Sequence, residues 1–126
     1  MKNITTASAP TAIGPYSQAI ETNHTIYVSG QLPIDPVTGD FPSEDIRDQT
    51  RVSLSNVKAI LEQAGLSMTD VVKTTVLLAD MEDFSSMNEV YSAFFSQPYP
   101  ARAAFQVARL PRDAKVEIEV VAEKRA

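Results

Sequence analysis

Residues 43–79 read SEDIRDQTRVSLSNVKAILEQAGLSMTDVVKTTVLLA, and the two halves of this stretch carry different periods. In the first half Ile46, Thr50, Leu54, Val57, Leu61 and Ala64 recur at spacings of three and four, which lines them along one side of a helix. Ser43 is placed to cap its start and Gly65 to end it. Arg47, Asp48, Arg51, Ser55, Lys58 and Glu62 fall on the other side and read as a solvated face. In the second half, residues 71–79 are rich in β-branched side chains and apolar at successive positions. That pattern predicts a strand buried on both faces, central in a sheet.

Downstream, Phe84, Met87, Tyr91, Phe94 and Phe95 give residues 83–95 the stripe of a second helix, and the stripe reads as core rather than a cofactor box. Pro98 and Pro100 break it. Residues 101–109 and 115–123 read as strands joined through Leu110 and Pro111. Upstream, residues 19–21 and 25–29 are short strands around the polar Thr22-Asn23-His24, a hairpin, and Gly30 ends the second. Gly14-Pro15-Tyr16-Ser17 is an ordered bend that aims Tyr16, and Pro33, Pro36, Gly39 and Pro42 make residues 32–42 a loop. The order is strand, hairpin, helix, strand, helix, strand, strand, an α+β arrangement. Two amphipathic helices cover one face of such a sheet. Val72, Val76, Leu77, Leu78, Val120 and Val121 put apolar side chains on both, so an oligomer with its sheets packed together is the simplest cover for the second.

The chain has 126 residues, about one domain, with a hydrophobic share of 44% and a charged share of 21%, ordinary for a globular protein. It holds no cysteine and one histidine, which removes a disulfide framework, a thiol nucleophile and a zinc site of the usual ligand set. His24 reads as a solvated loop residue. The net charge of −5 and the scatter of the eleven basic residues disfavour a nucleic-acid partner. With no apolar run long enough for a membrane span and no leader-like start, the expected location is the cytoplasm.

Several segments resemble the Rid family, formerly the YjgF family, in its RidA subfamily. They are Ala9-Pro10 with Ile13-Gly14-Pro15-Tyr16-Ser17-Gln18, then Ser29-Gly30-Gln31-Leu32-Pro33, Leu54-Ser55-Asn56-Val57-Lys58-Ala59 and Asn88-Glu89-Val90-Tyr91. The most specific is Pro100-Ala101-Arg102 followed by Val107-Ala108-Arg109-Leu110-Pro111 and Val116-Glu117-Ile118-Glu119. The resemblance implies a chorismate-mutase-like α+β fold, a mixed β-sheet with two helices on one face, and a homotrimer whose sheets pack together with three clefts between subunits. It also implies hydrolysis of 2-imino acids to 2-oxo acids and ammonia without cofactor or metal. In that family the arginine matching Arg102 holds the substrate carboxylate and the glutamate matching Glu117 orients the attacking water. The residues matching Tyr16, Ser29, Gly30 and Asn88 line or support the cleft. Ala104 stands where RidA members usually have cysteine, at a contact made largely through backbone atoms.

The residues themselves leave alternatives. Arg102, Ala104 and Gln106 alternate onto one strand face, where a guanidinium among small neighbours can take a carboxylate through two parallel bonds. A structural ion pair with Glu117 or Glu119 would equally explain it. Those two glutamates share one face of the last strand, as a hydrolytic base with its neighbour or as a solvated pair. Tyr16 suits packing as well as contact, and Ser29 and Asn88 suit structural hydrogen bonds as well as a site. An imine carbon is already electrophilic once its nitrogen is protonated, so the chemistry asks for a carboxylate anchor, a placed water and a proton relay. Arg102 can supply the first, and Glu117, with the backbone carbonyl at Ala104 as a second acceptor, can supply the others. A trimeric binding module for small 2-oxo acids would need Arg102 but not Glu117. A ribonuclease role finds no histidine pair or basic stripe, and nothing marks a chaperone.

Overall fold

A computed structural model describes residues 1–125. Helix α1 (Ile46–Gln63) forms where the period of three and four predicts it, burying Leu54, Val57, Ile60 and Leu61 completely. Each such side chain contributes roughly 1.5–3 kcal/mol by leaving water. Its cap is Asp45, whose carboxylate accepts from the Arg47 N–H, and not Ser43. Ser43 sits two residues further out, accepting from the Asp45 N–H and donating to Asp48. Gly65 ends the helix at φ 82°, a left-handed conformation that glycine adopts without a Cβ penalty.

The strands are β1 (Lys2–Ile4), β2 (Ala19–Glu21), β3 (Thr25–Gln31), β4 (Val71–Leu78), β5 (Ala101–Gln106) and β6 (Val116–Glu123), with helix α2 (Phe84–Phe94) between β4 and β5. They form one mixed sheet in the order β1-β2-β3-β6-β4-β5, in which only β4 and β5 run parallel. β4 lies inside the sheet, between β6 and the edge strand β5. The burial on both faces that its apolar pattern predicts is found on one face only, since Val72 and Lys73 are exposed on the other. β1 is the edge strand that opens the expected order, although no period in residues 1–6 sets its bounds, and β5 stops at Gln106 rather than at Arg109 because the chain turns toward Leu110 and a short 3₁₀ turn (Pro111–Asp113).

Both helices pack on one face, over Val28, Thr74, Val76, Leu78, Val116, Ile118, Val120 and Ala122. The other face carries Tyr27, Val72, Thr75, Leu77, Phe105, Glu117, Glu119 and Val121. Of these, Tyr27, Val72 and Phe105 are about half exposed at 52%, 44% and 49%. No helix among the described residues is long and apolar enough to cross a membrane.

Candidate functional site

Strand register decides where the two charged candidates point. Arg102 pairs with Thr74, which pairs with Val120, and both partners are buried under the helices. Glu117 pairs with Leu77, which pairs with Phe105, on the uncovered face. Alternation therefore sends Arg102 and Glu117 to opposite faces of one sheet, with only β4 between their strands. An ion pair of Arg102 with Glu117 or Glu119 inside one chain is excluded by this geometry.

Glu117 lies in a depression of about 610 Å³ lined by Tyr16, Ser29, Gly30, Leu32, Arg112 and Glu119, among others. β3 makes room for it. The register between β3 and β6 slips between Val28 and Gln31, leaving Ser29 and Gly30 as a bulge. A Cβ on Gly30 would collide with Glu117 Oε2 and lie 2.9 Å from its Cδ, so glycine is what lets the carboxylate rest on the backbone. Burial, with the Glu119 carboxylate adding to it, pushes the Glu117 carboxyl above its ordinary value.

Polar side chains fix the walls. Ser29 Oγ donates to the Ser17 carbonyl at 2.6 Å and its N–H to Gln18 O at 2.9 Å, so the serine ties β3 to the bend carrying Tyr16. In that bend Gly14 adopts φ 114° and Tyr16 is 53% exposed. Buried Gln18 holds the Thr6 amide and the Thr6 and Pro10 carbonyls. From α1, Ser53 donates to Gln31 O, and Asn56 to Leu32 O and Ile34 O. Sequence reasoning assigned none of these holding roles to Gln18, Ser53 or Asn56; their polarity on apolar faces is the signal.

Arg102 opens instead on a second depression of about 450 Å³, with Asn88, Tyr91, Ser92, Tyr99 and Pro100. Its Nη1 donates to Asn88 Oδ1 at 2.6 Å. Its guanidinium carbon lies 4.8 Å from the Tyr91 ring centroid and 5.4 Å from that of Phe84. Among the described residues it has no carboxylate partner. Ala104 follows two residues on, on the same face, half-buried against the core. Arg109 forms an exposed pair with Asp113, and His24 is exposed in the hairpin turn.

The structure thus gathers Tyr16, Ser29, Gly30 and Glu117 in one place, and Arg102, Asn88 and Ala104 in another. Phe84 and Tyr91 belong to the apolar stripe that reads as core, and in the structure their rings also face Arg102. Phe84, Asn88 and Tyr91 are spaced by four and three, a single helix face, and that spacing is the overlooked signal.

A six-stranded mixed sheet with two helices on one side, an exposed arginine on the helix-covered face and a half-buried glutamate against a glycine bulge on the other together define a small α+β protein. The family model described as Endoribonuclease L-PSP matches residues 6–124. The chain belongs to this family, the Rid or YjgF family. It is 50% identical to the 2-iminobutanoate/2-iminopropanoate deaminase of Escherichia coli K12, over 98% of each chain. It is also 54% identical to a RutC family protein of Pyrococcus horikoshii, over 96% of each. Among solved structures, E. coli TdcF with bound serine superposes with a TM-score of 0.95 at 48% identity, covering 99% of this chain and all of that one.

Proposed function

We propose that residues 1–126 act as one domain and that the protein is a 2-iminobutanoate/2-iminopropanoate deaminase, a cofactor-independent hydrolase that works in the cytoplasm as a homotrimer. The observation that carries this reading is the placement of Arg102 and Glu117 on opposite faces of the sheet. Each is the missing half of the other's site, so a complete cleft needs Glu117, Tyr16, Ser29 and Gly30 from one protomer and Arg102, Asn88 and the Ala104 backbone from its neighbour. The name of the E. coli relative supports the activity.

In this scheme Arg102 takes the substrate carboxylate through two N–H groups, and the cleft holds the protonated imine carbon near Glu117. The Glu117 carboxylate accepts a proton from water as its oxygen bonds to C2, giving a tetrahedral amino alcohol. Glu117 returns that proton to nitrogen and then takes the hydroxyl proton as the C–N bond breaks, so ammonia departs, the oxygen becomes the carbonyl of the 2-oxo acid, and the proton on Glu117 passes to the departing ammonia as ammonium. The Ala104 carbonyl is the second acceptor for the water. A carboxyl held above its ordinary value by burial is suited to passing a proton both ways.

The serine bound to TdcF favours a second reading, a binding module for small carboxylates that uses the same cleft without turnover. A coupled assay separates them: a threonine dehydratase generates the imine, and release of 2-oxobutanoate is followed with and without this protein. Acceleration is expected, and Arg102→Ala is expected to remove it together with 2-oxobutanoate binding. No acceleration, with binding intact, leaves the module.

A further inference from the structure

We propose that Tyr91 and Thr74 form a positioning pair that sets the orientation of the Arg102 guanidinium, keeping its N–H edge free for the substrate carboxylate. This rests on the reading above that Arg102 takes that carboxylate.

A cation at the edge of a sheet is usually steadied by an acidic side chain, and here that arrangement would defeat the site. A carboxylate beside Arg102 would occupy the same fork of N–H groups that the substrate needs. The fold uses aromatic faces instead. The Tyr91 and Phe84 rings lie 4.8 and 5.4 Å from the guanidinium carbon, within the range where a ring quadrupole attracts a cation. An aromatic face stabilises the charge from outside the guanidinium plane and supplies no competing oxygen in it. Asn88, a neutral acceptor, takes one N–H at 2.6 Å and leaves the rest of the fork.

The Tyr91 ring is itself fixed. Its hydroxyl lies 2.7 Å from Thr74 Oγ1, and Thr74, fully buried, is the β4 residue in register with Arg102. One strand position thus carries the arginine, and the position beside it anchors the ring under the arginine. Burial holds the Tyr91 phenol above its ordinary value, so the ring stays neutral beside the cation. If Tyr91 only filled the core, a hydroxyl pair buried at its end would add little, since an apolar pair of the same shape is about as stable. Orientation explains the pair better than packing does.

The test compares Tyr91→Leu, Tyr91→Phe and Thr74→Val for thermal unfolding, for 2-oxobutanoate affinity, and for kcat and KM on dehydratase-generated imine. Tyr91→Leu is expected to raise Kd and KM by about 3- to 30-fold, with kcat at saturation little changed. Tyr91→Phe restores the ring and most of the affinity, and Thr74→Val matches Tyr91→Phe with a residual loss of a few-fold. In an Arg102→Ala background Tyr91→Leu adds nothing. Parental Kd and KM in a folded Tyr91→Leu protein would overturn the proposal. Should that variant fail to fold, parental Kd and KM in both Tyr91→Phe and Thr74→Val would overturn it. Parental affinity in Arg102→Ala would remove the underlying reading, and the proposal with it. Loss there with none in Tyr91→Leu removes the positioning pair alone.

Discussion

Arg102 and Glu117 stand on strands separated only by β4, yet their surroundings differ in water, partners and backbone. The Arg102 half lies on edge strand β5 and the exposed rim of α2, where aromatic faces and one amide hold a cation that stays open to solvent. The Glu117 half lies between β6 and the β3 bulge, where backbone and a second carboxylate crowd a half-buried acid. The comparison teaches a division of labour. On the proposed reading, the group that binds substrate is left exposed and available, while the group that reacts is partly stripped of water so that its proton affinity rises.

The largest expected effect tests that division. Glu117→Gln preserves size and some hydrogen bonding but removes the basic carboxylate, so turnover should fall by roughly 10²–10⁴ while 2-oxobutanoate still binds through Arg102. Steady-state kinetics and calorimetry on one preparation check both, and loss of binding in step with turnover would mean that Glu117 is a structural residue.

A smaller effect is expected from Gly30→Ala. The added methyl meets the flexible end of Glu117 rather than backbone, so the fold should hold to within about 1 kcal/mol while the displaced carboxylate lowers kcat by about 10- to 100-fold. Thermal unfolding beside kinetics measures the split, and a stability loss without a rate loss would separate the bulge from the chemistry.

Glu119→Gln should do least. Glu119 lies beside Glu117 on β6 and raises its proton affinity, with Arg112 and Tyr16 also lining the depression and the neighbour's Arg102 across the proposed cleft. In the proposed scheme Glu117 works as the carboxylate, active above its pKa. Removing the like charge lowers that pKa, so the acid limb of the kcat profile should move to lower pH with the plateau retained. An acid limb that stays in place would show that another group controls it.

Much of the fold was legible because long periodic segments declare themselves. The α1 stripe and the two-sided apolar β4 fixed the layers, and the surplus of apolar side chains on the second sheet face anticipated the uncovered surface seen at Tyr27, Val72 and Phe105. The ends were less legible. Asp45 caps α1 in place of Ser43 because both offer an oxygen within one turn, and β1 is too short to carry a period. For the site, the family-matched residues lie in two separate groups, and alternation along β5 and β6 alone cannot relate one strand's faces to another's. That needed the register through β4. Tyr91 reads as core because it is core, at 5% exposure, and the approach of its ring to Arg102 appears only once the strand beneath it is known.

The central claim is that each working cleft takes Arg102 from one protomer and Glu117 from its neighbour. Co-expressing Arg102→Ala and Glu117→Gln chains with different tags, and isolating doubly tagged trimers, tests it directly. In a cyclic trimer of either mixed composition one of the three clefts keeps both native groups, so roughly one third of the parental imine hydrolysis should return although each variant alone is nearly inactive. Mixed trimers as inactive as the separate variants would contradict the claim and place both groups' work within a single chain.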